Sequence, residues 1–181
     1  MTDWAGRTEG WRSGGWRLAL WGGLGALLAL PAVAMRLGAD GVAWTASDFV
    51  VMGALLSLVG LGVELIVRTS PSLPYRLGAA LAVVTAFLTI WVNLAVGMIG
   101  SEDDPANQLF LGVLAMALAG TIVARGRADG MARAMAVAAV AQVLAAATGF
   151  SADPRGAIFA GLFGGLWLVG AALFRKAARD A

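Results

Sequence analysis

The positions of the charges relative to the apolar runs constrain this chain most. Six apolar runs, each long enough to cross a bilayer, are separated by five short loops, and Lys and Arg concentrate on alternate sides of them. Of 13 basic residues, only Arg36 and Arg155 fall in the first, third and fifth loops. The other 11 lie in the two tails and in the second and fourth loops: Arg7, Arg12, Arg17, Arg68, Arg76, Arg125, Arg127, Arg133, Arg175, Lys176 and Arg179. The positive-inside rule therefore predicts a multi-pass membrane protein with both termini in the cytoplasm.

The composition supports a membrane environment and removes several kinds of chemistry. Hydrophobic residues make up 60% of the chain and charged residues only 13%, whereas a soluble domain carries about 25% charged residues. The sequence has no His and no Cys. It therefore lacks the usual general base, thiolate nucleophile, transition-metal ligands and haem ligands, so we expect no cofactor and rank an enzyme last among the function classes.

The apolar runs predict an all-α fold of six transmembrane helices, since each has the ~20 residues that an α-helix needs to span the hydrocarbon. A single transmembrane domain at 17–175 is flanked by cytoplasmic tails at 1–16 and 176–181. The predicted spans are Arg17–Met35, Ser47–Val67, Leu77–Gly100, Pro105–Ala124, Met131–Phe150 and Pro154–Phe174.

The first span has a second interpretation. Its basic segment, apolar stretch and Ala32-Val33-Ala34 also match a secretory signal peptide with its cleavage site, and cleavage would leave five spans.

The spans pair into three similar hairpins, because the odd spans follow Arg17, Arg76 and Arg133 at spacings of 59 and 57 residues. Internal duplication explains the similarity, but so do helix capping and the topology rule alone.

Span three carries a polar stripe at intervals of four residues, which places its members on one helix face. The stripe is Thr85, Thr89, Asn93, Gly97 and Ser101. An amide in hydrocarbon is unfavourable without a partner, so the stripe is expected to face the bundle interior. It predicts either a solute path or hydrogen bonds between helices.

Two further polar residues fall within apolar runs. Glu64 lies one turn before Arg68, so it is either half of a local ion pair or a proton or cation site. Gln142, near the middle of span five, is another candidate for a polar path.

Small residues four apart indicate close helix contacts, within the chain or between protomers. The pairs are Ala115 with Ala119 in span four and Gly161 with Gly165 in span six. They suggest a homo-oligomer or a membrane-complex partner that binds through a Gly/Ala face.

The third loop is the densest polar cluster of the chain, with Glu102, Asp103 and Asp104 in a row. These carboxylates are candidate ligands for a hard cation such as Ca²⁺ or Mg²⁺. The alternative is that Asp104 caps span four ahead of Pro105.

The stretch from Trp91 to Asn107, with the sequence WVNLAVGMIGSEDDPAN, resembles a family of small, uncharacterised bacterial inner-membrane proteins. The similarity extends from Trp44 to Arg175, and the family has Asn where this chain has Asp104. The resemblance implies a bacterial inner membrane but no activity, cofactor or partner.

Two functions remain open at this point. The polar stripe, Glu64 and Gln142 favour a channel or small transporter for an ion or small solute. The Gly and Ala faces favour a non-catalytic structural or accessory subunit of a membrane complex. The basic residues are spread over the loops as topology requires, so no nucleic-acid partner is expected.

Overall fold

The computed structural model describes the backbone of residues 5–69 and 72–181 and the side chains of residues 15–68 and 72–181. Arg7 and Arg12, on which the predicted orientation partly rests, have side chains outside that range. The elements are six α-helices and one short 3₁₀ turn: α1 (Ala5–Arg36), α2 (Ala46–Thr69), α3 (Leu73–Ala95), the 3₁₀ turn (Pro105–Asn107), α4 (Gln108–Ala124), α5 (Ala128–Thr148) and α6 (Pro154–Arg179).

All six helices contain a segment long and apolar enough to cross a membrane. No strand occurs in residues 5–69 or 72–181. The predicted all-α fold with six candidate spans is confirmed, and it fits an integral membrane protein. The helices divide into two compact units, one ending at Leu61 and the other beginning at Gly62.

In the first unit, α1 meets the glycines of α2. A Cβ on Gly60 would lie 2.9 Å from the side chains of both Trp21 and Leu24. Helix α2 begins with a local cap, in which the carboxylate of Asp48 accepts the Thr45 N–H at 2.7 Å. The cap satisfies a backbone donor at the start of the helix, where no intrahelical acceptor is available.

In the second unit, α5 packs between α4 and α6, and α3 packs against the other side of α6. Helices α5 and α6 form the most closely packed hairpin, whereas α3 and α4 are consecutive in sequence but contact each other much less. The row α3–α6–α5–α4 therefore leaves a cleft between its two ends.

Glycines permit the close contacts in this row. A Cβ on Gly164 of α6 would lie 2.7 Å from Val143 of α5. On α3, a Cβ on Gly78 would lie 3.3 Å from the carbonyl oxygen of Gly170. Small residues thus bring the backbones together, as is usual where helices associate in lipid.

The predicted span Leu77–Gly100 is wrong at its C-terminal end. Helix α3 ends at Ala95, and the chain then turns through Gly97 (φ +77°) and Gly100 (φ +65°). A left-handed φ of this kind is readily adopted by Gly and ends a right-handed helix. Gly97 and Ser101 therefore do not continue the stripe along a helix.

Candidate functional site

The first two members of the stripe bond to their own helix. The Thr85 hydroxyl donates to the carbonyl of Leu81 at 2.7 Å, and the Thr89 hydroxyl donates to the carbonyl of Thr85 at 2.8 Å. Both side chains are fully buried. Hydrogen bonds to the i−4 carbonyl satisfy a buried hydroxyl without any partner on another helix.

Asn93, the third member, points at the start of α4. Its amide donates to the backbone carbonyl of Asn107 at 3.1 Å. Its Oδ1 is buried without a hydrogen-bond partner among the described residues. The stripe therefore ends in a bond between the last turn of α3 and the 3₁₀ turn.

Asn107 organises the turn that follows α3. Its Oδ1 accepts the N–H groups of Met98 at 2.9 Å and Ile99 at 3.0 Å. Its Nδ2 donates to the carbonyls of Ile99 at 3.1 Å and Ser101 at 2.7 Å. An asparagine amide has two donor hydrogens and an oxygen with two lone pairs, so this buried side chain uses its full capacity.

The turn inserts two apolar side chains into the end of the bundle. Met98 and Ile99 are each only 1% exposed. Ile99 lies against the loop after α5, where a Cβ on Gly149 would be 2.5 Å from its Cγ2. Residues 96–101 therefore cap the end of the bundle.

Asp153 fixes the same turn from the loop before α6. One carboxylate oxygen accepts the N–H of Gly156 at 3.0 Å, which caps α6. The other accepts the N–H of Gly100 at 2.9 Å, across 53 residues of sequence. These two bonds, with smaller contributions from Arg155, hold the pKa of Asp153 below its ordinary value because they favour the charged carboxylate.

Sequence reasoning placed Asn107 and Asp153 in polar loops but did not select them as site residues. The signal was available for Asn107, which closes the Trp91–Asn107 stretch. For Asp153, the Ser-Ala-Asp-Pro sequence indicated only a helix cap. The contact with Gly100 depends on the approach of two loops that sequence spacing does not reveal.

The acidic residues of the third loop are not gathered into a metal site. Within residues 15–68 and 72–181, no group of three or more acidic side chains is placed to hold a metal ion. Asp104 accepts the N–H of Ala106 at 2.9 Å and so caps the 3₁₀ turn. Glu102 and Asp103 are exposed. The capping alternative, rather than the cation site, matches this geometry.

Gln142 is fully buried between α5 and α6. Its Nε2 donates to the carbonyl of Ala160 at 3.0 Å. Its Oε1 has no hydrogen-bond partner among the described residues. The amide thus joins the two helices and leaves one acceptor unused.

Glu64 is 8% exposed and makes an ion pair with Arg68 one turn later, with Oε2 and Nη2 3.4 Å apart. This is the local pair that the i, i+4 spacing predicts. Glu64 has additional interactions.

The small-residue pairs predicted to pack helices face away from the α4–α5 and α5–α6 contacts. A Cβ on Gly161 or Gly165 would meet no described atom within 4 Å. Ala115 and Ala119 are exposed on α4. The tight contacts are made one position away, by Gly164 with Val143 and by Gly120 with Ala134.

Four clefts in the described part of the chain have linings that do not include Thr85, Thr89, Asn93, Gln142 or Glu64. Thr85, Thr89 and Gln142 are fully buried, and each of the five polar residues makes at least one hydrogen bond. No family model, no curated protein and no solved structure matches this chain.

Proposed function

We propose that this integral membrane protein is a non-catalytic structural or accessory subunit that associates through the outward face of α6. The charge asymmetry of its loops supports both termini in the cytoplasm, and the resemblance of the Trp91–Asn107 stretch supports a bacterial inner membrane. The Trp91–Asn107 stretch supports membership of the small inner-membrane family that it resembles.

The open face around Gly161 and Gly165 carries this proposal. These glycines form a small-xxx-small pair, and no described atom occupies the space beside them. Ile158, Leu162 and Leu168, which border the pair, are more than half exposed. Glycines flanked by large apolar side chains let a second helix approach closely, and lipid alone has no need of such a groove.

The test uses substitutions that alter this face without disturbing the fold. Gly161→Leu and Gly165→Leu place side chains in open space, so α6 should form normally. We expect each to abolish cross-linking or co-purification seen for the wild-type protein in mild detergent. Gly112→Leu is a matched control, because Gly112 on α4 also has open space beside its Cβ position. A wild-type protein that purifies as a lone monomer from native membranes would refute the proposal.

A channel or small transporter is the second candidate, favoured by one observation. The Oδ1 of Asn93 and the Oε1 of Gln142 are buried without partners, and a buried unpaired acceptor is unfavourable unless water or a solute meets it. We expect planar bilayers with the purified protein in KCl to show conductance that Asn93→Leu removes. Equal conductance in wild type and variant would argue against this path.

A further inference from the structure

The cleft between α3 and α4 has a volume of about 640 Å³, and the outer α4–α5 groove has a volume of about 690 Å³. Unlike that groove, it has wall residues from every helix of the second unit. Its lining is mostly aliphatic and includes Ala82, Ala86, Leu114, Leu118, Met135 and Trp167. A pocket of ~300–1,000 Å³ is the size that encloses a small ligand.

One polar group in the wall of this cleft lacks a hydrogen-bond partner. Trp167 is 2% exposed, and its indole Nε1 is buried with no acceptor among the described residues. Tyr75, which packs edge-on against Phe174, also lines the cleft. A buried indole N–H normally has an acceptor, and no described residue supplies one to Trp167.

A cation without a carboxylate partner lies at the end of the cleft. Arg125 lines it and makes no ion pair with the described residues, whereas Arg127 and Arg133 both pair with Asp129. Arg125 also has a left-handed backbone (φ 47°, ψ 40°) after the last turn of α4. Its guanidinium is available to bind a phosphate through parallel N–H donors.

We propose that this cleft binds one acyl chain of an anionic phospholipid from the bilayer. The aliphatic walls enclose the chain, and the guanidinium of Arg125 binds the phosphate. An ester carbonyl of the lipid accepts the indole N–H of Trp167. An anionic phospholipid thus matches the apolar walls, the guanidinium of Arg125 and the indole N–H of Trp167.

The size of the cleft favours a lipid over a partner helix. A helix of ~20 residues is a cylinder about 10 Å wide and 30 Å long, which occupies about 2,400 Å³. That exceeds the space inside the cleft. A transmembrane helix would also leave Arg125 without an anion.

The experiment is native mass spectrometry of the full chain in detergent, titrated with phosphatidylglycerol or with phosphatidylcholine of the same acyl chains. We expect phosphatidylglycerol to bind more tightly than phosphatidylcholine. Arg125→Gln should weaken phosphatidylglycerol binding by about tenfold, the equivalent of one lost charged contact. Arg175→Gln is the matched control, since Arg175 is also unpaired within the described residues but lines a different cleft, and it should leave binding within about twofold.

A second variant tests the apolar part of the cleft independently of charge. Ala86→Phe fills the space beside α3 and should abolish retention of both lipids, whereas Ala115→Phe on the exposed face of α4 should not. Equal losses for Arg125→Gln and Arg175→Gln would overturn the proposal. Unchanged lipid binding in Ala86→Phe would also overturn it. So would an Ala86→Phe variant that keeps its lipid but loses a membrane polypeptide that co-purifies with the wild-type protein.

Discussion

The carboxylate of Asp153 holds the backbone N–H of Gly100 at 2.9 Å, although the two residues are 53 positions apart. This bond joins the loop before α6 to the turn after α3. Asn107 holds the same turn with four hydrogen bonds. The turn is therefore fixed by two side chains that a hydropathy profile does not distinguish from other loop residues.

Asn107→Ala should lower the free energy of unfolding by about 3 kcal/mol, because the buried N–H groups of Met98 and Ile99 lose their acceptor. An SDS titration followed by circular dichroism measures the change. Gln108→Ala, one residue later and exposed, is the control and should have little effect. Similar shifts for the two variants would show that Asn107 does not anchor the turn.

The stabilisation from Asp153 should depend on acid pH. Its pKa is lowered in the folded protein by the Gly156 and Gly100 N–H groups, so its contribution is present above the unfolded pKa of about 3.9. The contribution is lost as the pH falls through the folded pKa. We expect the difference in the free energy of unfolding between wild type and Asp153→Asn to shrink as the pH is lowered from about 6 to about 3.

The control for this pH series is Asp103→Asn, because Asp103 is exposed. Its difference from wild type should be small at every pH. A pH-independent difference for Asp153→Asn would mean that the charge of Asp153 does not stabilise the fold.

Gly164→Ala and Gly161→Ala should have opposite effects on stability. A Cβ at position 164 would lie 2.7 Å from Val143, so we expect a loss of about 1–3 kcal/mol from overpacking. A Cβ at position 161 meets open space, and Ala favours the helix by up to about 1 kcal/mol over Gly. Thermal unfolding in detergent compares them, and a loss of stability only for Gly161→Ala would reverse the assignment of faces.

Gly97→Ala should destabilise the protein more than Gly38→Ala. Both glycines have a left-handed φ, +77° and +72°, so both variants acquire backbone strain of about 1 kcal/mol. Only at Gly97 would the new Cβ also lie 2.5 Å from the carbonyl oxygen of Ser101. Comparison of the two unfolding midpoints isolates the steric part, and equal midpoints would exclude it.

The helices could be predicted because length and hydropathy are local properties. The end of α3 could not, since Val96, Met98 and Ile99 prolong the apolar run although Met98 and Ile99 are buried in a turn. Hydropathy records that a side chain avoids water, whether it lies in lipid, a helix or a packed turn. The positive φ of Gly97 and Gly100 is what distinguishes these cases.

The polar residues show a different limit. The spacing of Thr85 and Thr89 is the same whether their hydroxyls face a cavity or bond to the preceding turn. Likewise, Gly161, Gly164 and Gly165 are equivalent in composition, and only the position of α5 makes Gly164 the contact residue. One-dimensional patterns identify candidate faces, but the neighbouring helices decide which face is used. The proposed path through Asn93 and Gln142 stays a prediction.

The early end of α3 and the short α4 have a consequence for the surrounding bilayer. Helix α3 has 23 residues and rises about 35 Å, whereas α4 has 17 residues and rises only about 26 Å. The hydrocarbon layer is ~30 Å thick, so α4 alone is too short and the anchored turn before it completes the crossing. Non-helical backbone at that depth requires internal partners, which Asn107 supplies. With the turn included, the span Pro105–Ala124 has 20 residues, so the hydrophobic length at α4 depends on this turn, and a variant that releases the turn is expected to thin the membrane beside α4.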